Sequence, residues 1–219
     1  MNAQRPTLVI GNKNYSSWSL RAWLAMSHAG IAFDEVRIPL SVPTTRADIL
    51  RHSPAGRVPV LHDGPVTVWD SLAICEYQAE RHPDAGLWPR DASVRAVARS
   101  VAAEMHSGFD DLRATMPMNC RASLPGKGGG PGAQADIDRI TAIWRDCRAR
   151  FGGDGAMLFG HFTIADAMFA PVASRLVTYD VDLDPLSRAY VQAVMALPAM
   201  RGWVAAARDE TERIEAEDL

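Results

Sequence analysis

The sequence predicts two consecutive domains, an N-terminal α/β domain followed by an all-helical one. In the first 83 residues, short apolar runs typical of buried strands alternate with segments of helical spacing, in the order β-α-β-α-β-β-α. Residues 82–89, HPDAGLWP, form a helix-breaking stretch, and beyond it apolar residues recur every three or four positions, as in amphipathic helices. We therefore assign residues 1–83 to the α/β domain, 84–90 to a linker and 91–219 to the helical domain.

Each element of the α/β domain is predicted from a local pattern. Short β-branched and aliphatic runs indicate the strands, and two of them flank Asp63-Gly64, which is a strong hairpin signal. Ser16 and Asp70-Ser71 stand where polar residues commonly begin a helix, and Gly30 is suited to the end of one. The predicted elements are strands at 7–10, 33–40, 57–61 and 66–69, and helices at 16–30, at 45–52 and from 70 to near Pro83.

The helical domain is predicted to open with one long helix. Its apolar residues, from Val94 to Leu112, are spaced by three or four over residues 91–116. A glycine-rich segment at 124–133 predicts a loop, and the acidic tail at 209–219 has few apolar anchors, so we expect it to fray. The remaining predicted helices are 136–151, 163–177, 184–196 and 198–208.

Composition and charge exclude several classes of protein. The formal net charge of −3 and the pI near 6.1 give no electrostatic hold on nucleic acid or an anionic membrane. With 47% hydrophobic and 22% charged residues, the chain is expected to be packed and soluble, without a signal peptide or membrane span. Three widely separated cysteines suggest neither a disulfide framework nor a metal site. We therefore expect a cytoplasmic protein with no metal, nucleic-acid or membrane partner.

Four short motifs follow one another along the chain. They are NYSSWSLR at 14–21, RVPVL at 57–61, DSLAI at 70–74 and TIAD at 163–166. Each is weak alone, because a Val-Pro before a hairpin or a Thr-x-x-Asp before a helix occurs by chance in many proteins. Their order and spacing over almost the whole chain are much more specific.

In that order, the motifs resemble those of the cytosolic glutathione S-transferases. The first is similar to the S-S-C-x-x-R and S-P-F-x-x-R signatures of the zeta and tau classes, and the second to a V-P-x-L element whose proline is cis. The third is similar to E/Q-S-x-A-I, and the fourth to an S/T-x-A-D capping box. Trp18 stands where zeta enzymes have cysteine, and Asp70 where most members have Glu or Gln. The resemblance implies a thioredoxin-like N-terminal domain, glutathione as co-substrate and a C2 homodimer.

The resemblance also implies a thiol-activating residue at the start of the first helix. An unperturbed thiol titrates near ~8.5, so a transferase must stabilise the glutathione thiolate. Ser16 lies five residues before Arg21, as the family's thiol-binding serine does. Its hydroxyl would donate to sulfur while the helix N-terminus adds positive potential. Ser17 is the alternative catalytic residue, and either serine could instead serve only as a helix cap.

The same resemblance assigns the rest of a glutathione-binding site. At a cis Val58-Pro59 bond, the Val58 backbone would pair with the cysteinyl backbone of glutathione. Ser71 at a helix N-terminus suits the γ-glutamyl carboxylate, and Asp70 suits the neighbouring ammonium group. Arg57 and, as a second choice, Arg46 are candidates for the glycine carboxylate. The simpler alternatives are a trans proline, plain helix caps and solvated arginines.

The second-substrate pocket is expected along the end of the long helix. Met and aromatic side chains there would suit an apolar electrophile, although most of such a stripe is usually core and a histidine in it is usually a packing residue. The candidate residues are Met105, His106, Phe109, Arg113, Met116 and Asn119. Asp166 in the fourth motif is interpreted as structural, and Cys75 as a small buried residue.

Together these assignments predict an enzyme that activates glutathione and adds it to an electrophilic small molecule. A glutathione-dependent cis-trans isomerase, similar to maleylacetoacetate isomerase, would use the same thiolate site and is an alternative suggested by Ser16-Ser17. A non-catalytic protein-binding adaptor with the same fold is a further alternative, although a pure adaptor need not keep these residues. A thioredoxin-type oxidoreductase is disfavoured because the helix start has Ser16, Ser17 and Trp18 in place of a nucleophilic cysteine.

Overall fold

The computed structural model describes residues 5–218 and has the predicted fold class, a thioredoxin-like α/β unit followed by helices. The strands are β1 Thr7–Ile10, β2 Asp34–Arg37, β3 Val60–Asp63 and β4 Val66–Val68. They form a mixed sheet in the order β2-β1-β3-β4. Strand β1 pairs with β2 in parallel and with β3 antiparallel, and β3 and β4 form an antiparallel hairpin.

Helices account for most of the remaining chain. They are α1 Ser17–His28, α2 Thr45–Leu50, α3 Ser71–Arg81, α4 Ala92–Ser107, α5 Asp110–Thr115, α6 Pro131–Phe151, α7 Ile164–Thr178, α8 Pro185–Ala196 and α9 Pro198–Asp209. Helix α1 packs on α3 within the α/β unit and on α7 and α9 of the helical part, so it joins the two. The domain boundaries stay a prediction; helix α3 ends at Arg81 and helix α4 begins at Ala92. None of the helices in 5–218 combines the length and apolar composition needed to cross a bilayer.

The first strand of the hairpin begins later in the chain than its sequence pattern indicated, whereas the second strand, β4, begins at the predicted residue, Val66. The strand predicted at 57–61 is β3 at Val60–Asp63, and its residues Leu61 and Asp63 pair with Val68 and Val66 of β4. Pro59 lacks a backbone N–H and cannot donate to a ladder, so the segment before Val60 stays outside the sheet. The backbone groups of this segment consequently do not pair with another strand of the sheet and can bind a ligand.

The prediction of one long helix over residues 91–116 is wrong, because the helix is interrupted between α4 and α5. Gly108 ends α4, and Phe109 has a left-handed backbone (φ 66°) that no helix interior allows. Two hydrogen bonds that involve side chains stabilise this interruption between the helices. Arg113 Nε donates to the Gly108 carbonyl oxygen (2.9 Å), and the Leu112 backbone N–H donates to Asp136 Oδ2 of α6 (2.9 Å). Apolar spacing continues across the break, which is why the sequence pattern indicated one helix.

The glycine-rich loop ends earlier than predicted, because α6 begins at Pro131 and not at Asp136. Proline suits the first turn of a helix, where its missing N–H would have had no intrahelical partner. The three preceding residues, Gly128 to Gly130, all have positive φ values, which glycine adopts without a steric penalty. The glycine run therefore belongs to the loop, while Pro131 marks the helix start.

Asp166 has the structural role that the capping motif predicts, and more contacts than a cap needs. Its Oδ2 accepts hydrogen bonds from the Thr163 backbone N–H (2.8 Å) and Thr163 Oγ1 (3.0 Å). Its Oδ1 accepts from the Leu158 N–H (3.1 Å) and the Tyr190 hydroxyl (3.1 Å). Burial raises the pKa of Asp166, and these four hydrogen bonds oppose that rise. Asp166 thus connects the start of α7 to α8 and to the preceding turn.

Candidate functional site

A cavity of about 970 Å³ opens between the α/β unit and the helical part. Its walls come from segments far apart in the sequence, namely the start of α1, the residues before β3, the start of α3, the end of α4, α5, α7 and the C-terminal tail. Nine predicted site residues line it, and these are Ser16, Ser17, Arg57, Val58, Pro59, Asp70, Ser71, His106 and Arg113. The first three motifs therefore meet in one space.

Five predicted site residues do not line this cavity. Met105, Phe109 and Met116 are buried in the hydrophobic core. Asn119 is buried among polar groups, where its Oδ1 accepts from Asn14 Nδ2 (2.9 Å). One continuous helix would have presented all of these residues to the cavity on one face. Because the helix is interrupted after α4, the apolar residues among them pack in the core instead. Arg46 is exposed on α2, outside the cavity wall.

The two candidate serines differ in their hydrogen bonding. Ser16 is the N-cap of α1, since its Oγ accepts from the Ser19 N–H (3.4 Å), and its hydroxyl donates to Ser19 Oγ (2.7 Å). Ser19 Oγ also accepts from the Gly11 N–H (3.0 Å), so a short chain of hydrogen bonds leads to the Ser16 hydroxyl. The Ser17 hydroxyl has no protein partner within residues 5–218. Both serines are nearly buried at the cavity wall.

The segment before β3 presents backbone to the cavity. The Val58-Pro59 bond is cis, as the resemblance implied, and both residues line the wall. Arg57 is exposed at the edge of the same wall. An extended peptide lying along this segment would find the Val58 backbone outside the sheet ladder, which begins at Val60.

Asp70 and Ser71 begin α3 at the cavity wall. Asp70 Oδ1 accepts from the Leu72 N–H (3.1 Å) and the Ala73 N–H (3.4 Å), and its Oδ2 lies 2.9 Å from His106 Nε2. The hydrogen bond from His106 lowers the pKa of Asp70, which keeps the carboxylate charged. Ser71 Oγ is buried without a hydrogen-bond partner among the described residues. A ligand anion at this helix start would meet the Ser71 hydroxyl and the Ser71 backbone N–H, since the Leu72 and Ala73 N–H groups already donate to Asp70.

Several cavity residues were not selected from the sequence. Their signals were weak, with one exception: Arg175 is a lone cation in the apolar helix IADAMFAPVASRLVT, and a buried arginine is rare unless it has a partner. Glu217 carried no signal, because it belongs to the tail that was expected to fray. The cavity residues outside the predicted site set are Tyr15, Trp18, Leu40, Ile49, Ala55, Trp69, Ala114, Pro117, Arg175, Ala216 and Glu217.

Over residues 209–218 the C-terminal tail is bound to the loop that precedes α1 and is not frayed, contrary to the expectation from the sequence. The two carboxylate oxygens of Glu210 accept from the backbone N–H groups of Lys13 (2.7 Å) and Asn14 (3.0 Å). Trp203 Nε1 of α9 donates to the Lys13 carbonyl oxygen (2.9 Å). Polar contacts to backbone groups therefore replace the apolar anchors that the tail lacks.

Tyr15, the neighbour of Ser16 in the sequence, forms hydrogen bonds with the end of the tail. Its hydroxyl donates to Asp218 Oδ1 (2.8 Å) and accepts from the Ile214 N–H (3.3 Å) and from Arg121 Nη2 (2.8 Å). Through these contacts the turn at 215–217 reaches the cavity, where Ala216 and Glu217 form part of the wall. The tail thus positions the loop that leads into α1.

Replacing Glu210 by Gln should lower the free energy of unfolding by about 1.5–3 kcal/mol, the range for hydrogen bonds to charged groups. An amide nitrogen cannot accept, so one of the Lys13 and Asn14 N–H groups would lose its partner. Glu212→Gln is the matched control, because Glu210 and Glu212 both pair with Arg37 (3.6 and 2.7 Å) but Glu212 is more exposed, and exposed ion pairs are worth about 0–1 kcal/mol. Chemical denaturation of both variants measures the difference, and equal effects would contradict the proposed anchoring by Glu210.

The cysteine thiols lie away from the cavity and are not activated. Burial raises the pKa of Cys75 and of Cys147 to about 12 and that of Cys120 to about 11. Cys75 is fully buried, as its place in an apolar helix predicted. Among residues 5–218, no group of three or more His, Cys, Asp or Glu side chains is arranged to hold a metal ion. The polar groups at the cavity are therefore hydroxyls, backbone groups, carboxylates, His106 and arginines.

Comparisons with known proteins agree with this architecture. The family model for the glutathione S-transferase N-terminal domain matches residues 15–81, and the model for the glutathione S-transferase C-terminal domain matches residues 128–206. Together the two matches cover more than half of the chain. The protein therefore belongs to the glutathione S-transferase family.

Individual proteins and solved structures of this family are similar to the chain over part or most of its length. A probable maleylacetoacetate isomerase of Caenorhabditis elegans is 28% identical over 193 residues, which cover 84% of this chain and 85% of that protein. Glutathione S-transferase Z1 of Arabidopsis thaliana is 33% identical over 102 residues, covering 44% of this chain and 46% of that protein. A glutathione transferase homologue from Burkholderia, solved with bound glutathione, superimposes with a TM-score of 0.71 at 25% identity, covering 94% of this chain and 100% of that chain.

Proposed function

We propose that this chain is a glutathione transferase that activates the glutathione thiol at the start of α1 and transfers glutathione to an electrophilic small molecule. The observation that carries the proposal is the convergence of Ser16-Ser17, Val58-Pro59 and Asp70-Ser71 on one cavity. Family membership supports the same activity, and the similar Burkholderia structure contains glutathione.

In this proposal, the Ser16 hydroxyl donates to the glutathione sulfur and favours its thiolate form. Hydroxyl hydrogens rotate, so the Ser16–Ser19 pair can reverse and let Ser19 donate to Ser16. Ser16 Oγ would then accept from both the hydroxyl and the N–H of Ser19, which strengthens it as a donor to sulfur. The N-terminus of α1 adds positive potential at the same point. Ser17, whose hydroxyl has no partner among the described residues, is the alternative donor.

The remaining contacts in the proposal hold the tripeptide. The Val58 backbone pairs with the cysteinyl residue as an added strand. Ser71 and the N-terminus of α3 bind the γ-glutamyl carboxylate, and Asp70, which stays charged, faces the ammonium group. Arg57 at the cavity edge is the better candidate for the glycine carboxylate, because Arg46 lies outside the cavity wall.

Glutathione should stabilise the folded protein, since it would bind the native state and not the unfolded chain. At a concentration one hundred times Kd, the expected gain in the free energy of unfolding is about 2.7 kcal/mol. Thermal unfolding with and without millimolar glutathione measures the gain. Ser71→Ala should reduce it, whereas Ser93→Ala, a serine in α4 that does not line the cavity, should not. An unchanged melting temperature in the wild type would contradict the glutathione site.

Glutathione-dependent cis-trans isomerisation is the second candidate function. The observation that favours it is the similarity to maleylacetoacetate isomerases over most of the chain, together with Ser16-Ser17. Trp18 departs from the zeta-class pattern at the next position. The products separate the two functions, because a transferase consumes glutathione stoichiometrically whereas an isomerase returns it unchanged. The homodimer implied by the resemblance and the cytoplasmic location expected from the composition stay predictions.

A further inference from the structure

A histidine–carboxylate pair joins the α/β unit to the helical part at the cavity wall. His106 Nε2, in the last turn of α4, lies 2.9 Å from Asp70 Oδ2 at the start of α3. Both residues line the cavity, and of the histidines in the range 5–218 His106 is the one that does so. The Asp70 side chain is 50% exposed and that of His106 24%, so a ligand in the cavity can reach the pair.

The surroundings of the His106 ring favour one neutral tautomer. Its Nδ1 is buried and has no hydrogen-bond partner among the described residues. A hydrogen atom on Nδ1 would be buried without an acceptor, so the neutral ring carries its hydrogen on Nε2 and donates it to Asp70. The Trp18 ring lies roughly perpendicular to the imidazole, with ring centres 5.2 Å apart, and restricts its rotation. His106 is thereby fixed as a donor to Asp70.

The two carboxylate oxygens of Asp70 have different partners. Oδ1 accepts from the Leu72 and Ala73 N–H groups, which fixes this oxygen to the start of α3. Oδ2 faces His106, and no lysine or arginine of the described residues lies within 4.0 Å of either oxygen. An uncharged donor orients a carboxylate without cancelling its charge, whereas a cation would cancel it. With neutral His106, Asp70 therefore keeps its full negative charge and a lone pair for an ammonium group.

The other charged groups near this pair belong to four different elements. They are Arg21 of α1, Arg113 of α5, Arg175 of α7 and Glu217 of the tail. Burial lowers the pKa of Arg175 to about 10 and raises that of Glu217. Histidine is the side chain that ordinarily changes charge between about pH 5 and 8, so His106 can alter the net charge of the pair within that range.

We propose that His106 is a positioning residue for glutathione, which in its neutral form holds Asp70 in place for the γ-glutamyl ammonium group and in its protonated form weakens glutathione binding. Protonation would place a positive charge 2.9 Å from the Asp70 oxygen, so the ammonium group would compete with an internal ion pair and meet a like charge. The inference rests on the proposed function, because it requires glutathione in this cavity. It adds that glutathione binds less tightly as the pH falls from about 8 to 5.5.

Two peptides that differ in one amino group isolate the contribution of the ammonium group. S-methylglutathione has no titrating thiol, and its deamino analogue, S-methyl glutaryl-cysteinylglycine, lacks only the amino group. Calorimetric titration of the wild type at about pH 8 should show about tenfold tighter binding of S-methylglutathione. At about pH 5.5 this preference should fall to about threefold or less. Effects of pH that are common to both peptides cancel in this ratio.

Two substitutions of His106 separate positioning from packing. His106→Gln keeps an N–H donor but does not titrate, so it should retain the preference of about tenfold at both pH values. His106→Ala removes the donor and should reduce the preference to about threefold or less at both. His161→Gln is the matched control, since His161 contacts the Gly86 carbonyl oxygen outside the cavity wall, and it should keep the pH dependence of the wild type.

The outcomes distinguish this inference from the proposed function. A wild-type preference that is the same at both pH values would overturn the inference and leave the transferase function standing. The same holds if His106→Gln keeps the wild-type pH dependence, which would assign the titration to another group such as Glu217. Equal preferences in the wild type and His106→Ala would show that His106 only packs against Trp18. Failure of both peptides to bind at either pH would instead refute the glutathione site on which the proposed function depends.

Discussion

Asp166→Ala is expected to lower the free energy of unfolding by about 3–5 kcal/mol, since several buried donors that each cost about 1–3 kcal/mol would lose their acceptor. Helix capping alone would predict only about 0.5–2 kcal/mol. The larger value follows from Leu158 and Tyr190, whose donors reach Asp166 from outside α7. Denaturant unfolding followed by circular dichroism measures the change.

Asp184→Ala is the matched control for this substitution. Asp184 caps α8 by accepting from the Leu186 and Ser187 N–H groups (both 3.0 Å), but its side chain is partly exposed to water. Water can replace a lost acceptor there, so we expect a loss of about 0.5–2 kcal/mol. If Asp166→Ala and Asp184→Ala are equally destabilising, the buried network around Asp166 contributes nothing beyond its cap. Asp166→Asn, which keeps one acceptor oxygen, should fall between the wild type and Asp166→Ala.

Ser16→Ala is expected to raise the pKa of bound glutathione by about 1–2 units, which is what losing a hydrogen bond to a charged group of about 1.5–3 kcal/mol corresponds to. A transferase lowers the thiol pKa by stabilising the thiolate, so removal of the donor moves the pKa upward. At neutral pH, turnover with an electrophile should fall by roughly 10- to 100-fold. The affinity for glutathione should change less, because binding relies mainly on Val58, Asp70 and Ser71.

Thiolate absorbance titrated against pH separates the two serines. Ser17→Ala serves as the matched variant at the same helix start, and the residue that contacts sulfur is the one whose removal shifts the titration curve. A shift in Ser17→Ala alone would move the catalytic assignment by one residue. If neither variant shifts the curve while conjugation persists, the N-terminus of α1 holds the thiolate without a side chain. Tyr15 is a poor substitute, because its hydroxyl is already engaged by Asp218 and Arg121.

The sequence predicted local elements well where the signal is itself local. Strand β1 has the predicted bounds, and α1 and α3 begin directly after Ser16 and Asp70, because N-cap residues act on amides two or three positions away. The break between α4 and α5 was missed for the opposite reason. It depends on Asp136 of α6, which accepts from the Leu112 N–H, and on the side chain of Arg113. Neither contact can be predicted from the apolar spacing of residues 91–116.

The residues of the candidate site also fall into those that the sequence could predict and those that it could not. Ser16, Val58-Pro59 and Ser71 could be selected because each belongs to a short motif whose order matches a known family. Arg175 and Glu217 could not, since one lies in an apolar helix and the other in a tail with few apolar residues. Met105 was selected from its spacing and is core, because it lies on the face of α4 that packs in the core, whereas the neighbouring His106 lines the cavity.

The fold class, the order of elements in the α/β domain and the family to which the glutathione-binding motifs point could all be predicted from the sequence. These depend on hydrophobic periodicity, caps and short motifs, which act within a few residues of the chain. The packed structure was needed to show which residues share the cavity, that Glu210 of the tail binds Lys13 and Asn14, and that Arg113 and Arg175 line one cavity. Contacts between segments a hundred or more residues apart depend on packing, which no local pattern encodes.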